Sequence, residues 1–262
     1  MQPSTDVAIP CRVLDSKDVY GFLFERDSDT GGHIGYAVSR IVDKDKVPSG
    51  QLMVFTRETE GMMRKGQDWR SWVGPVERYD ITGANQFRVM VNEGLRESHE
   101  MLDIGCGSLR GGRFFILYLG THGYHGIEPE EWLVKEGIKY ETGDGLIQFK
   151  LPAFEYAKDF GFGRFGHDFD YLLAQSIFTH TSVVETNLCL SEAVNVMHDK
   201  SVFIANFEES SDATRINFDG WKECNQLTYG YFSGLAAKHG LSMKRLDYPH
   251  PSGLKWVRME KV

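Results

Sequence analysis

The chain has 262 residues, 41% of them hydrophobic and 25% charged, which excludes a fibrous or disordered protein and suits one large α/β domain or a smaller one with an addition. A formal net charge of −8 repels polyanions, so nucleic acid is not an expected partner; the local pairs Arg110 with Arg113 and Lys244 with Arg245 read as solvated surface. Four scattered cysteines (Cys11, Cys106, Cys189, Cys224) give neither a local zinc pair nor a disulfide scaffold, and no apolar run is long enough to span a bilayer; a cytosolic protein without membrane insertion is expected.

In chain order, the first 60 residues alternate short β-like runs with turn clusters. The runs are Val7 to Leu14, Val19 to Glu25, Ile34 to Val42 and Leu52 to Thr56, and three or four antiparallel strands are predicted. Gly61 to Pro75, with Trp69 and Trp72, reads as a linker. The expected division is a small β-rich unit over 1–65 and a main domain over 66–262. A helix is predicted from Thr82, a candidate cap, to Leu95. Strand-like and helix-like runs then alternate: strand Met101 to Ile104, helix Gly111 to Leu119, strand Gly123 to Ile127, helix Glu131 to Gly137. Strands near Phe154 to Ala157 and over Phe169 to Ala174, a helix Val183 to Met197, a strand Ser201 to Phe207 and a helix Tyr229 to His239 continue the pattern. Two last strands, Leu241 to Tyr248 and Leu254 to Glu260, flank the turn Pro249-His250-Pro251-Ser252-Gly253 and read as an antiparallel hairpin. The βαβα order predicts an α/β fold: a Rossmann-like, seven-stranded, mostly parallel sheet with an antiparallel C-terminal hairpin, plus the small N-terminal β unit.

At the end of the first main-domain strand, Asp103-Ile104-Gly105-Cys106-Gly107 puts two glycines into a strand-to-helix turn, where a ligand can approach the backbone closely. A plain tight turn would use the same residues. Glu128 ends the next strand, where a carboxylate can accept both hydroxyls of an adenosine ribose. A dinucleotide fingerprint shares that acid but requires a third glycine where Arg110 stands, so a phosphate-free adenosyl cofactor is preferred over NAD.

Leu102-Asp103-Ile104-Gly105-Cys106-Gly107 and Gly126-Ile127-Glu128-Pro129 resemble motifs I and II of the class I S-adenosylmethionine-dependent methyltransferases. The longer strings Gly107-Ser108-Leu109-Arg110-Gly111-Gly112-Arg113, Tyr124 to Pro129 and Ala174-Gln175-Ser176-Ile177-Phe178-Thr179-His180 are similar to a small bacterial-type subgroup. The resemblance spans about Trp69 to Glu260 and implies S-adenosyl-L-methionine as cofactor. It implies that Gly105 and Gly107 line the methionine and ribose portions, that Asp103 orders the loop, and that Glu128 holds the ribose diol. Asp159 is assigned to the adenine amine, with a surface turn carboxylate as its alternative. Gln175 and Ser176 would face the methyl donor, and Tyr79 would fold over the cofactor as a lid.

His180, just past the fourth strand, is the candidate general base, because imidazole titrates near working pH; ordering of its loop is the other role open to it. His250 is a second candidate. The string Ala-Gln-Ser-Ile replaces the Asp/Asn/Ser-Pro-Pro-aromatic string of amino-methylating DNA enzymes, no Asp/Asn magnesium cluster stands near Gln175 or Asn206, and Cys106 fits as a small residue in the turn. The expected activity is metal-independent methyl transfer to a hydroxyl, less readily an amine, of a small-molecule or saccharide acceptor. The alternative from another class is a non-catalytic methyltransferase-like binding module.

Overall fold

In the computed structural model, the described residues are 7–10, 21–26, 33–38, 69–212 and 225–262. The chain divides into two compact units, Met1–Trp72 and Val73–Val262. In the first, strands β1 (Val7–Pro10), β2 (Gly21–Arg26) and β3 (His33–Val38) form an antiparallel sheet in the order β1-β2-β3. A single helical turn, Trp69–Trp72, ends this unit. The predicted strand Leu52 to Thr56 lies outside the described residues.

The second unit carries strands β4 (Met101–Ile104), β5 (Tyr124–Ile127), β6 (Ala153–Glu155), β7 (Phe169–Ala174), β8 (Met197–Glu209), β9 (Gln226–Leu227), β10 (Leu241–Leu246) and β11 (Lys255–Lys261). The sheet runs β10-β11-β8-β7-β4-β5-β6, with β9 paired in parallel to the end of β8. Pairs β4–β5, β4–β7, β5–β6 and β7–β8 are parallel, and β11 is antiparallel to both β8 and β10. The hairpin is therefore folded back on itself: β11 is inserted between β8 and β10, and β10 keeps the direction of the parallel strands.

The central strands are buried along nearly their whole length because both faces are covered. Leu102, Ile104, Leu172, Ala174, Phe203 and Ala205 enter one core with α5 (Val183–Asn195) and α6 (Tyr229–Lys238). Their neighbours Met101, Leu173, Tyr171, Val202 and Ile204 enter the other, with α1 (Tyr79–Asn92), α2 (Gly112–Tyr118) and α3 (Glu131–Gly137). Alternation along each strand thus builds a three-layer sandwich.

Three expectations need correction. Helix α1 begins at Tyr79, one turn before Thr82, because the 3-10 turn Val76–Arg78 leads straight into it; Thr82 is buried inside the helix and caps nothing. It ends at Asn92 because Gly94, at φ +108°, turns the chain out, and Leu95 N–H donates back to Met90 O at 2.9 Å. Helix α4 (Asp144–Lys150) went unpredicted: only Leu146 and Ile147 pack, partly buried, against the core while Phe149 is exposed, so its apolar stripe is too short to mark it. The caps of α5 and α6 are sequence-encoded, by Ser182 with Glu185 in a capping box and by Thr228 onto Tyr231 N–H. No helix among the described residues is long and apolar enough to cross a membrane.

Candidate functional site

In an open parallel sheet the strands' carboxyl ends, where neighbouring connections diverge, form the natural ligand crevice. Here β4 leaves for α2 and β7 for α5, and the predicted residues Asp103, Gly105, Gly107, Glu128, Gln175 and Ser176 all come from this edge.

The turn after β4 is made of left-handed residues: Gly105 at φ +69°, Gly107 at φ +54° and the non-glycine Leu109 at φ +60°. It is tied to the neighbouring strand by its backbone. Gly105 N–H and Cys106 N–H both donate to Ile127 O, at 2.8 and 3.2 Å. Glu128, 8% exposed, then closes the connection: Gly107 N–H donates to its Oε2 at 2.9 Å and Glu130 N–H to its Oε1 at 3.0 Å. Burial raises its pKa, and these two backbone donors oppose the rise. A carboxylate offers about four lone-pair positions, so two remain, which is what a vicinal diol requires.

Beneath this turn lies a buried polar pair. Tyr124 Oη donates to Asp103 Oδ2 at 2.8 Å, and burial pushes the Asp103 carboxyl up to about 7 against that bond and the nearby charge of Arg110. Tyr79 is fully buried, with its hydroxyl donating to Ser108 O at 2.9 Å. As the first residue of α1 and without exposed surface, it braces the glycine turn in this structure. Gly83 brings α1 so close that a Cβ there would stand 2.2 Å from Arg110 O.

The turn after β7 is built from side chains. Ser176 has φ +60°, a costly conformation for a residue with a Cβ, and its N–H is held by Asn206 Oδ1 at 2.7 Å. That bond fixes the Asn206 amide, whose Nδ2 donates to Gln175 Oε1 at 2.6 Å. The Gln175 amide then points its Nε2 at Ser176 Oγ (2.7 Å) and at His250 Nε2 (3.1 Å). Ser252 N–H donates to His250 Nδ1 at 3.0 Å. A neutral imidazole accepts at only one of its nitrogens, here Nδ1 from Ser252 N–H, and burial followed by the charge of Arg110 lowers its pKa to about 4. This ring is badly placed to take up a proton.

His180 lies in the same loop, half-buried, with its N–H donating to Ile177 O at 2.9 Å and burial lowering its pKa. The loop is pinned on either side by Asn225, through its N–H to Thr179 O and its Nδ2 to Thr181 O. Asp159 follows β6, the neighbour of β5, and its exposed carboxylate grips Arg164 through both oxygens, which holds it below the usual carboxylate range.

Asn206 and Arg110 were not singled out by the sequence. Asn206 carried one signal, a polar residue inside the apolar run of β8. Of the two basic pairs, Lys244 and Arg245 are exposed, with Arg245 paired to Glu209, whereas Arg113 is held by Asp80 and Glu141 at 2.5 and 2.6 Å and Arg110 is half-buried against Val73 O. Among the described residues, Cys106 and Cys189 are buried free thiols, and no group of three or more His, Cys, Asp or Glu is arranged to hold a metal ion.

No protein-family model matches the chain, and a search of curated proteins found no match. Solved structures do match. Magnesium protoporphyrin IX methyltransferase from Synechocystis PCC 6803 with bound SAH aligns at TM-score 0.54 and 14% identity, over 78% of this chain and 94% of that one. The glycopeptide N-methyltransferase MtfA complexed with S-adenosyl-L-methionine aligns at TM-score 0.55 and 9% identity, over 69% and 94%. A putative O-methyltransferase from Nostoc punctiforme PCC 73102 aligns at 0.53 and 14%, over 70% and 57%. At these identities the likeness is one of fold, and the second unit has the Rossmann-like sheet, with its inserted antiparallel strand, that these methyltransferases share.

Proposed function

We propose that this protein is an S-adenosylmethionine-dependent methyltransferase that moves a methyl group to a hydroxyl, less readily an amine, of a small metabolite or saccharide without a metal ion. The observation that carries the reading is the junction of the two motifs: Glu128 holds Gly107 N–H at 2.9 Å and keeps two acceptor positions for a ribose diol. Gly105 and Gly107 supply the backbone approach, and Asp103 supports the turn from β4 through Tyr124.

The bound cofactor supplies an electrophilic methyl on a sulfonium, attacked in line. What the protein adds is geometry, and effective molarities of well-oriented groups cover roughly 7–11 kcal/mol of such a barrier. Gln175, Ser176 and Asn206 form the wall that would orient the acceptor, each fixed by its neighbour. His180 is the base of choice over His250, whose Nδ1 already accepts from Ser252 N–H and whose other nitrogen is engaged with the Gln175 amide. Burial lowers the pKa of the His180 imidazole, which favours the neutral form that takes a proton from a hydroxyl while making it a weaker base.

The test is S-adenosylhomocysteine production from S-adenosylmethionine across a library of hydroxyl and amine acceptors. Turnover with hydroxyl compounds, abolished or shifted in pH profile by His180→Ala, supports the reading. Cofactor binding without turnover on any acceptor class supports a binding module instead.

A further inference from the structure

We propose that Arg110 is a carboxylate-binding residue at the meeting point of the cofactor turn and the acceptor wall, resting on the methyltransferase reading above. Two other partly buried arginines differ from it in their partners. Arg113 and Arg258, with side chains 15% and 17% exposed, each contact two carboxylates: Asp80 and Glu141 for the first, Glu93 and Glu260 for the second. In a chain with eight more negative than positive charges such pairing is easy to find. Arg110 has none among the described residues. Its one hydrogen bond there is from Nη1 to Val73 O; its Nε, like those of Arg113 and Arg258, is shut off from solvent without an acceptor, so the difference lies in the missing carboxylates.

A guanidinium presents five N–H donors in a planar fork that suits bidentate oxyanions. Nη1 is bonded to Val73 O and Nη2 is not shut off from solvent, so the donors left open at this half-buried fork are free to meet an incoming oxyanion. The position is also specific. Arg110 follows Gly107 by three residues, its backbone carbonyl abuts Gly83 of α1, and its charge reaches Asp103 on one side and the His250 ring on the other. Gly74 stands beside Nη1, where a Cβ would come within 3.4 Å. With one cation, and the Asp103 carboxyl close by, the site suits a monoanion better than a phosphate dianion.

A carboxylate could come from two sources, the aminoacyl tail of the cofactor or the acceptor itself. Isothermal titration of S-adenosylhomocysteine and of 5′-methylthioadenosine, which lacks the tail, separates them on the full chain. If the tail is the ligand, the wild type prefers S-adenosylhomocysteine by about tenfold to a hundredfold, as expected for charge-assisted bonds. Arg110→Met then erases that preference while leaving 5′-methylthioadenosine within about twofold. If the acceptor is the source, Arg110→Met leaves both adenosyl ligands unchanged, but benzoate binds the S-adenosylhomocysteine-loaded wild type and not the variant, with benzamide binding neither. Arg110→Lys retains part of either effect, and the wild-type comparison of the two adenosyl ligands stands even if Arg110→Met folds poorly. Unchanged behaviour of Arg110→Met toward all four probes overturns the proposal. No binding of any adenosyl compound by the wild type overturns the methyltransferase reading, and this proposal with it.

Discussion

The turn after β4 and the turn after β7 lie at the same edge of one sheet, yet they are made differently. The first is held by its backbone: Gly105, Cys106 and Gly107 donate N–H groups to Ile127 O and to Glu128, all within one βαβ unit. The second is held by side chains from three strands' ends: Gln175, Asn206 and His250 are 31 and 75 residues apart in the two bonds that join them. A backbone-built half can be written as a short string and reused for one unchanging cofactor. A side-chain-built half can be rewritten residue by residue, as a site that must suit one particular acceptor requires.

Gly83→Ala should break the first half most severely. Alanine normally gains up to about 1 kcal/mol over glycine in a helix. Here the new Cβ would lie 2.2 Å from the Arg110 carbonyl oxygen, so overpacking of about 2–3 kcal/mol or more should win. A melting temperature equal to or above wild type would show that α1 is not pressed onto the turn. Asn206→Ala targets the second half. It strips Ser176 N–H and the Gln175 amide of partners and should cost about 1–3 kcal/mol in denaturant unfolding. S-adenosylhomocysteine affinity should change much less than turnover; equal losses would mean the two halves are one unit.

The pH dependence offers a finer probe of the support under the glycine turn. Burial raises the Asp103 pKa in the folded state to about 7, so its contribution is full below the unfolded value of about 3.8 and is lost as pH rises through 7. Asp103→Asn, which carries no charge to bury, should flatten that part of the stability profile between pH 4 and 7. A wild-type profile that is already flat there would contradict the raised value. The smallest effect belongs to Asp159→Ala, which breaks an exposed pair and should leave both unfolding and cofactor affinity unchanged. A clear loss of S-adenosylhomocysteine affinity would assign Asp159 to the adenine site.

The same contrast explains what could be read from the sequence. The strands β4, β5 and β7 are short apolar runs bounded by turn residues, and the glycine turn with Glu128 falls at fixed offsets from them, so sheet and turn were legible. Helix α4 was not, since only Leu146 and Ile147 reach the core and only in part, nor was the start of α1, where a 3-10 turn replaced the expected cap at Thr82. Asn206 and Arg110 were hidden for a tertiary reason: what each does depends on partners brought in from other strands and loops. Tyr79 supports the turn from within the core, which only its burial and its bond to Ser108 reveal.

The central claim is that Glu128 joins the glycine turn to an adenosyl ribose. Isothermal titration of S-adenosylhomocysteine into wild type and Glu128→Ala tests it most directly. Loss of two charge-assisted hydrogen bonds predicts affinity weaker by about a hundredfold or more in the variant, with the fold retained by circular dichroism. Equal affinity in the two proteins, or no binding by the wild type, would contradict the account.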